Sequence, residues 1–265
     1  MDMQNIHALT GSIRERFVKK LARGESVLGP FMKTCDPAFV EAAGLAGMDF
    51  AILDIEHGPN NIYTLQNLIR AAQCGGILPV VRVPGIDESV ISKALDIGAM
   101  GIQAPQITNA EQVARLIKVA RFAPLGERGV CRFVRAAGYS TTDRFQYFEQ
   151  ANQVLIIIQL EGLEALANLE SIFAAPGIDI VFIGPYDLSQ SLGVAGQIEH
   201  PLVEEKMREI VNAAKRNNIR IGTFADTVEN ALKWQAQGVQ YISYSVDVGL
   251  FAECCAGLVK RLAHQ

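Results

Sequence analysis

The chain has 265 residues, 24 Lys plus Arg against 28 Asp plus Glu for a net charge of −4, and 49% hydrophobic residues. No block of like charge occurs, which excludes non-specific nucleic-acid binding through clustered cations. The longest apolar runs, such as residues 154–158, fall far short of the ~20 residues that cross a bilayer. Five Cys without CxxC or Cys/His metal spacing, and an N-terminus without an apolar core segment, lead to the expectation of a cytoplasmic protein with reduced thiols.

In chain order, an amphipathic stretch at 11–23 reads as a helix that caps one end of the domain. Strand 27–31 precedes helix 37–45, strand 50–55 precedes helix 62–72, strand 79–83 precedes helix 88–97, and strand 101–104 precedes helix 110–120. Residues 123–153 carry Arg128, Arg132, Arg135 and Arg144 without a clear period, and read as a long βα-type connection serving as a lid or a subunit interface. Strand 154–161 and helix 163–173 come next, then strand 179–184, helix 202–217, strand 220–225, helix 228–237, strand 241–246 and a last helix at 249–263. Cys254 and Cys255, on that last helix, read as packing residues. Gly47, Gly75, Gly98, Gly177 and Gly238 stand where left-handed helix caps are expected. Most runs are continuously apolar, as in strands covered on both faces. Eight βα units over residues 1–265 predict one α/β domain, a (β/α)8 TIM barrel with an N-terminal capping helix region at 1–24.

In such a barrel the chemistry sits just past the C-terminal ends of the strands. Asp54, Glu56 and His57 follow the second strand, Arg82 the third, Gln159 and Glu161 the fifth, and Gly184-Pro185-Tyr186-Asp187 the sixth. Glu161 and Asp187 end neighbouring strands, where two carboxylates can hold a hard divalent ion; each could equally be a helix cap or an arginine's partner. His57 can move a proton near neutral pH with Asp54 to orient it, or it is a histidine satisfied by backbone. Arg82 offers a fork for a substrate carboxylate, or pairs with Asp54 or Glu56. Lys33, the one lysine that follows a strand end, reads as a solvated loop cation. No GxGxxG or Walker pattern is present, so nucleotide chemistry has no support.

Six segments, taken together, carry a likeness: Asp54-Ile55-Glu56-His57-Gly58-Pro59-Asn60, Val80-Val81-Arg82-Val83-Pro84, Leu95-Asp96-Ile97-Gly98-Ala99, Arg128-Gly129-Val130, Gln159-Leu160-Glu161, and Phe182-Ile183-Gly184-Pro185-Tyr186-Asp187-Leu188-Ser189. In order and spacing the chain resembles the HpcH/HpaI family of metal-dependent class II pyruvate aldolases over nearly its whole length. The resemblance implies Mg²⁺ or Mn²⁺, with Co²⁺ or Zn²⁺ as alternatives, held by Glu161 and Asp187. It implies that Arg82 and Gln159 surround the keto oxygen of pyruvate, and that backbone around Pro185, Tyr186 and Asp187 holds its carboxylate. His57, supported by Asp54 and Asp96, would be the acid/base group. A homo-oligomer is implied, a hexamer with the last helix swapped between neighbours.

The expected reaction is reversible cleavage of a 4-hydroxy-2-oxo acid into pyruvate and an aldehyde. The same site residues are compatible with two related outcomes, citrate-synthase-like condensation and decarboxylation, both starting from oxaloacetate. A barrel that binds a keto acid without turning it over is the third reading. Around residues 29–34, and at Tyr186, the sequence departs from the better-known aldolases, both where the second substrate would lie.

Overall fold

Eight parallel strands close into a barrel in sequence order, β1 through β8, with β1 hydrogen-bonded to β8. The structure, a computed structural model, describes residues 5–263. Helix α1 (Asn5–Ala22) comes first, followed by β1 (Val27–Met32), α2 (Pro37–Leu45), β2 (Phe50–Asp54), α3 (Ile62–Cys74), β3 (Leu78–Arg82), α4 (Glu88–Asp96), β4 (Gly101–Ala104) and α5 (Ala110–Ala120). A 3₁₀ segment (Arg135–Ser140) and α6 (Arg144–Ala151) lead to β5 (Leu155–Leu160), α7 (Leu163–Ala167), α8 (Leu169–Ala174), β6 (Ile180–Ile183) and α9 (Pro185–Ser191). Then come α10 (Pro201–Arg216), β7 (Arg220–Ala225), α11 (Val228–Ala236), β8 (Tyr241–Val246) and α12 (Asp247–Leu262). This is the (β/α)8 barrel with a capping helix that the sequence predicts.

Alternation along each strand sorts side chains into two cores. Ala51, Leu53, Val81, Ile102, Ile156, Ile158, Val181 and Ile242 face outward and pack beneath the helices. Phe31, Phe50, Ile52, Leu78, Val80, Ile157, Ile180, Phe182 and Tyr241 face inward, and α1 adds Ile13, Phe17 and Leu21 to them. Phe50 and Tyr241 stack with centroids 4.0 Å apart, and Phe17 meets both edge-on at 6.1 and 6.3 Å. Helix α1 is therefore the plug of the barrel's N-terminal end. Phe17→Ala is expected to lower stability by about 3–5 kcal/mol, because Phe17 is fully buried and the stacked rings beneath it cannot collapse into the void. Thermal denaturation at fixed protein concentration checks this.

Four details differ from the sequence-level expectations. The 163–173 stretch is two helices broken at Asn168, whose side chain donates to the Thr108 carbonyl at 2.9 Å. Gly75 stays right-handed with φ −72°, and Gly76 carries the left-handed turn at φ +73°. The 123–153 stretch follows a helix and precedes a strand, so it is an αβ connection at the N-terminal end of the barrel and is no lid over this chain's own site. Cys254 and Cys255 are exposed and do not pack on the barrel, because α12 beyond Phe251 covers none of it. Among the described residues no helix is long and apolar enough to cross a membrane.

Candidate active site

The inward parity that fills the barrel with apolar side chains turns polar at its upper rim. On β2 the sequence Phe50, Ile52, Asp54 runs up one inward column, on β3 Leu78, Val80, Arg82, and on β5 Leu155, Ile157, Gln159, with Glu161 next. Strand register sets Asp54 opposite Arg82, and Arg82 opposite Gln103 of β4. Buried polar groups must be satisfied, and these satisfy one another. Arg82 holds Asp54 bidentately, Nε to Oδ1 at 2.9 Å and Nη2 to Oδ2 at 2.6 Å, while its Nη1 lies 3.2 Å from Glu56 Oε2. The guanidinium also lies over the Phe31 ring, 4.5 Å from its centroid. Two of its five N–H groups remain for a ligand.

Lys33 is part of this cluster. Its Nζ bonds Asp54 Oδ2, and the turn that carries it is clamped by Asp247, which accepts from the Lys33 and Thr34 N–H groups at 2.9 Å each and from Thr34 Oγ1 at 2.7 Å. The reading of Lys33 as a solvated cation is thus corrected: its partner sits on the adjacent strand, where sequence spacing gives no sign of it. Burial pushes the Asp54 carboxyl up, but Arg82 and Lys33 outweigh it and hold it down at about 2.

Asp54 is fully buried, and it does not reach the His57 ring. It accepts from the backbone N–H groups of Glu56 and His57 at 3.0 and 3.3 Å, shaping the turn. The imidazole is 59% exposed above the mouth, with Nε2 3.9 Å from Glu56 Oε1. Asp96 does not reach the mouth of its own barrel. It is the last residue of α4, at the opposite end of this barrel, and bonds Arg128 at 2.5 Å.

On the other side of the mouth a chain of amides runs into Glu161. Gln103 Nε2 donates to Gln159 Oε1 at 2.9 Å, Gln159 Nε2 donates to Glu161 Oε2, and the Gln106 N–H donates to Glu161 Oε1 at 2.8 Å. Gly184 is required here, because a Cβ would stand 2.5 Å from Glu161 Oε2. Burial, with Asp187 and Glu56 adding repulsion, pushes the Glu161 carboxyl up to about 7. Glu56 is raised as well, by burial first and then against Arg82's pull by Asp54 and Asp187. Asp187 sits in the first turn of α9, whose first helical bond runs from the Leu188 N–H to the Gly184 carbonyl at 3.0 Å. The N–H groups of Tyr186 and Asp187 are left without an intrahelical acceptor.

Phe31, Phe182, Gly184, Pro185, Tyr186 and Phe224 wall a cavity of about 120 Å³ into which Lys33, Arg82, Gln159 and Asp187 also face. Tyr186 closes its edge, donating its hydroxyl to Asp226 Oδ2 at 2.7 Å. Of the residues expected around one point, Arg82, Gln159, Pro185, Tyr186 and Asp187 line this cavity, Asp54 and Glu161 stand behind it on Arg82 and Gln159, and His57 and Asp96 do not line it. Lys33, Gln103 and Phe31 join them unannounced; Gln103 and Phe31 were findable from inward parity on their strands.

Four carboxylates (Asp54, Glu56, Glu161, Asp187) meet two cations (Arg82, Lys33), which leaves two negative charges and two carboxyls with raised pKa. Among the described residues no three His, Cys, Asp or Glu side chains converge as a metal cage. Glu161 and Asp187, close enough to repel each other, offer oxygen donors of the kind a hard divalent ion takes.

A closed (β/α)8 barrel with an acid, base and arginine cluster at its C-terminal mouth defines a barrel enzyme that handles small oxyanions. The family profile of HpcH/HpaI aldolase/citrate lyase matches residues 28–254, and the chain belongs to that family. It is 34% identical over 231 residues to the 2-dehydro-3,6-dideoxy-6-sulfogluconate aldolase of Pseudomonas putida, covering 87% of this chain and 90% of that one. It is 35% identical over 236 residues to the hydroxypyruvate/pyruvate aldolase of Paraburkholderia phytofirmans, covering 86% and 90%. A crystal structure of the citrate synthase SbnG superposes with a TM-score of 0.82 at 31% identity, covering 92% of this chain and 96% of that one. The relatives make this chain a carbon–carbon lyase of the aldolase type.

Proposed function

We propose that the protein is a divalent-metal-dependent aldolase that cleaves a 4-hydroxy-2-oxo acid to pyruvate and an aldehyde and catalyses the reverse condensation. The observation that carries this reading is the charge imbalance at the barrel mouth, with Glu161 held at about 7 beside Asp187 and Glu56. Glu161 and Asp187 would hold Mg²⁺ or Mn²⁺, whose bound charge favours a neighbouring enolate oxygen. Arg82 directs its two spare N–H groups at the same oxygen, where negative charge grows as the C3–C4 bond breaks. The amides of Tyr186 and Asp187 bind the carboxylate of the keto acid, and Phe31, Phe182 and Phe224 keep water from C3. His57 takes the proton of the 4-hydroxyl as the aldehyde leaves, and its exposure lets it exchange that proton with solvent. The test is exchange of solvent deuterium into the pyruvate methyl group, followed by NMR. Exchange that needs Mg²⁺ or Mn²⁺ and stops with chelator is expected. Absence of exchange in metal-loaded protein, with acetyl-CoA consumed alongside oxaloacetate, would replace this reading by the citrate-forming one.

Assembly belongs to the same proposal. Helix α12 carries Phe251, Leu258, Val259 and Leu262 at 44–68% exposure, an apolar stripe in which Phe251 meets Phe39 edge-on at 6.3 Å and the residues beyond it have nothing of their own barrel beneath them. We assign that stripe to a neighbouring subunit in a homo-oligomer, a hexamer on family grounds, because unpartnered apolar faces of this kind mark subunit contacts. Leu258→Glu with Leu262→Glu is expected to convert the assembly into smaller species in sedimentation velocity. An unchanged sedimentation coefficient would remove α12 from the interface.

A further inference from the structure

A second cavity, of about 570 Å³, lies at the opposite end of the barrel, between α1, the C-terminal ends of α3 and α4, and the 123–153 connection. Its chemistry is cationic. Arg14, Lys19, Arg128 and Arg135 face it against two carboxylates, Glu15 and Glu149, both exposed, and Glu15 is already paired with Lys19 at 2.5 Å. Arg14 donates its Nε to the Gln153 carbonyl at 2.9 Å, and Arg135 donates to the Ile97 carbonyl and the Gln73 side-chain oxygen. Both therefore bond neutral oxygens; Asp179 attracts Arg14 from a distance without a direct bond, and Arg135 has no carboxylate partner among the described residues.

Two deeper groups in the same cavity lack acceptors. Arg128 is 5% exposed and gives one Nη to Asp96, but its buried Nε–H bonds nothing. Tyr147 is 2% exposed, and its buried hydroxyl faces the Arg128 guanidinium, a donor, and has no acceptor. A buried donor without an acceptor costs about 1–3 kcal/mol, so a native fold retains such groups for a reason. Turning Arg128 towards the phenol oxygen would still leave the phenol O–H without an acceptor, because a guanidinium has no lone pair.

We infer that this cavity binds a small organic anion, a metabolite with two or more carboxylate or phosphate oxygens, through Tyr147 Oη–H, Arg128 Nε–H and the guanidinium groups of Arg14 and Arg135. Leu95 and Val154 line the rest and suit a short apolar body. The site is separate from the barrel mouth: Met100 and Val154, just ahead of β4 and β5, border it, whereas Gln103 and Gln159 lie further up those strands. It does not depend on the aldolase reading.

The experiment is isothermal titration of the full chain with succinate, citrate and inorganic phosphate, each with pyruvate present to occupy the mouth. One of the three is expected to bind once per chain at millimolar concentration or better, and the preferred probe separates carboxylate from phosphate ligands. Tyr147→Phe and Arg135→Gln are each expected to weaken it about tenfold. Tyr147→Phe should leave the thermal midpoint of the ligand-free protein unchanged or higher, since it deletes an unpaired buried hydroxyl. Arg82→Ala should leave the binding intact. No heat with any probe would overturn the inference. So would binding that Tyr147→Phe spares and Arg82→Ala abolishes, or a ligand-free protein destabilised by Tyr147→Phe.

Discussion

Glu161→Gln is expected to lower kcat/KM for aldol cleavage by about three orders of magnitude or more, since it removes half of the proposed charged ligand set and the compensation of a developing enolate. The same substitution has an opposite effect on stability without metal. Burial raises the Glu161 carboxyl from 4.5 to about 7 on folding, against the bonds from Gln159 and Gln106. Folding thus favours the protonated form. Its contribution is fully present below pH 4.5 and is lost as pH rises through 7. In chelator, wild-type protein should be less stable at pH 8 than at pH 5 by about 2.5 kcal/mol from this group alone. Glu161→Gln should flatten that dependence, and Mn²⁺ should rescue the wild type at pH 8 and not the variant. Urea denaturation at both pH values, with and without Mn²⁺, reads all of this. Parallel pH slopes in the two proteins would show that Glu161 is not the group in question.

Arg82 gives the second large effect, and here charge and shape can be separated. Arg82→Ala leaves Asp54 fully buried with Lys33 as its one remaining cation, at an expected cost of about 3 kcal/mol. Arg82→Lys keeps the charge and loses the fork that spans both oxygens of Asp54 while presenting spare N–H groups to the cavity. It should fold with a near-wild-type thermal midpoint and lose about 10²- to 10³-fold in kcat. Combining Arg82→Ala with Asp54→Asn should recover stability and none of the activity. Full activity in Arg82→Lys would mean that the fork is structural. Asp54, held at about 2 against an ordinary 3.8, adds stability that is present above pH 3.8 and lost as pH falls through 2, so acid unfolding should shift upward in Arg82→Ala.

The barrel was legible because its two periods are clean: continuously apolar strands of four to six residues, separated by amphipathic helices that end at glycine. The site was legible where function is written in one strand and the residues just past it, as with Gln159 and Glu161. Lys33 was not, because what places it is strand register and a clamp from Asp247, 214 residues away. Asp96 lies away from its own barrel's mouth for a related reason. Motif order brings it near the site residues in sequence, whereas helix direction carries it to the far end of the barrel. Helix α6 was missed since Phe145 is exposed while Tyr147 is buried, a pattern with no simple face, and its aromatic residues pack on Phe122 at the end of α5. The break at Asn168 is a tertiary override, with its side chain drawn to the Thr108 carbonyl.

The clamp on Lys33 also sets an order of events during folding. Three bonds that fix the turn after β1 end on Asp247, the first residue of α12, and β1 itself gains its second neighbour only when β8 docks. A chain emerging from the ribosome can therefore assemble seven strands and most of both cores while the mouth of the barrel stays unfinished. Refolding followed by catalysis should lag refolding followed by far-ultraviolet circular dichroism, the delay being the time the two ends of the chain need to find each other.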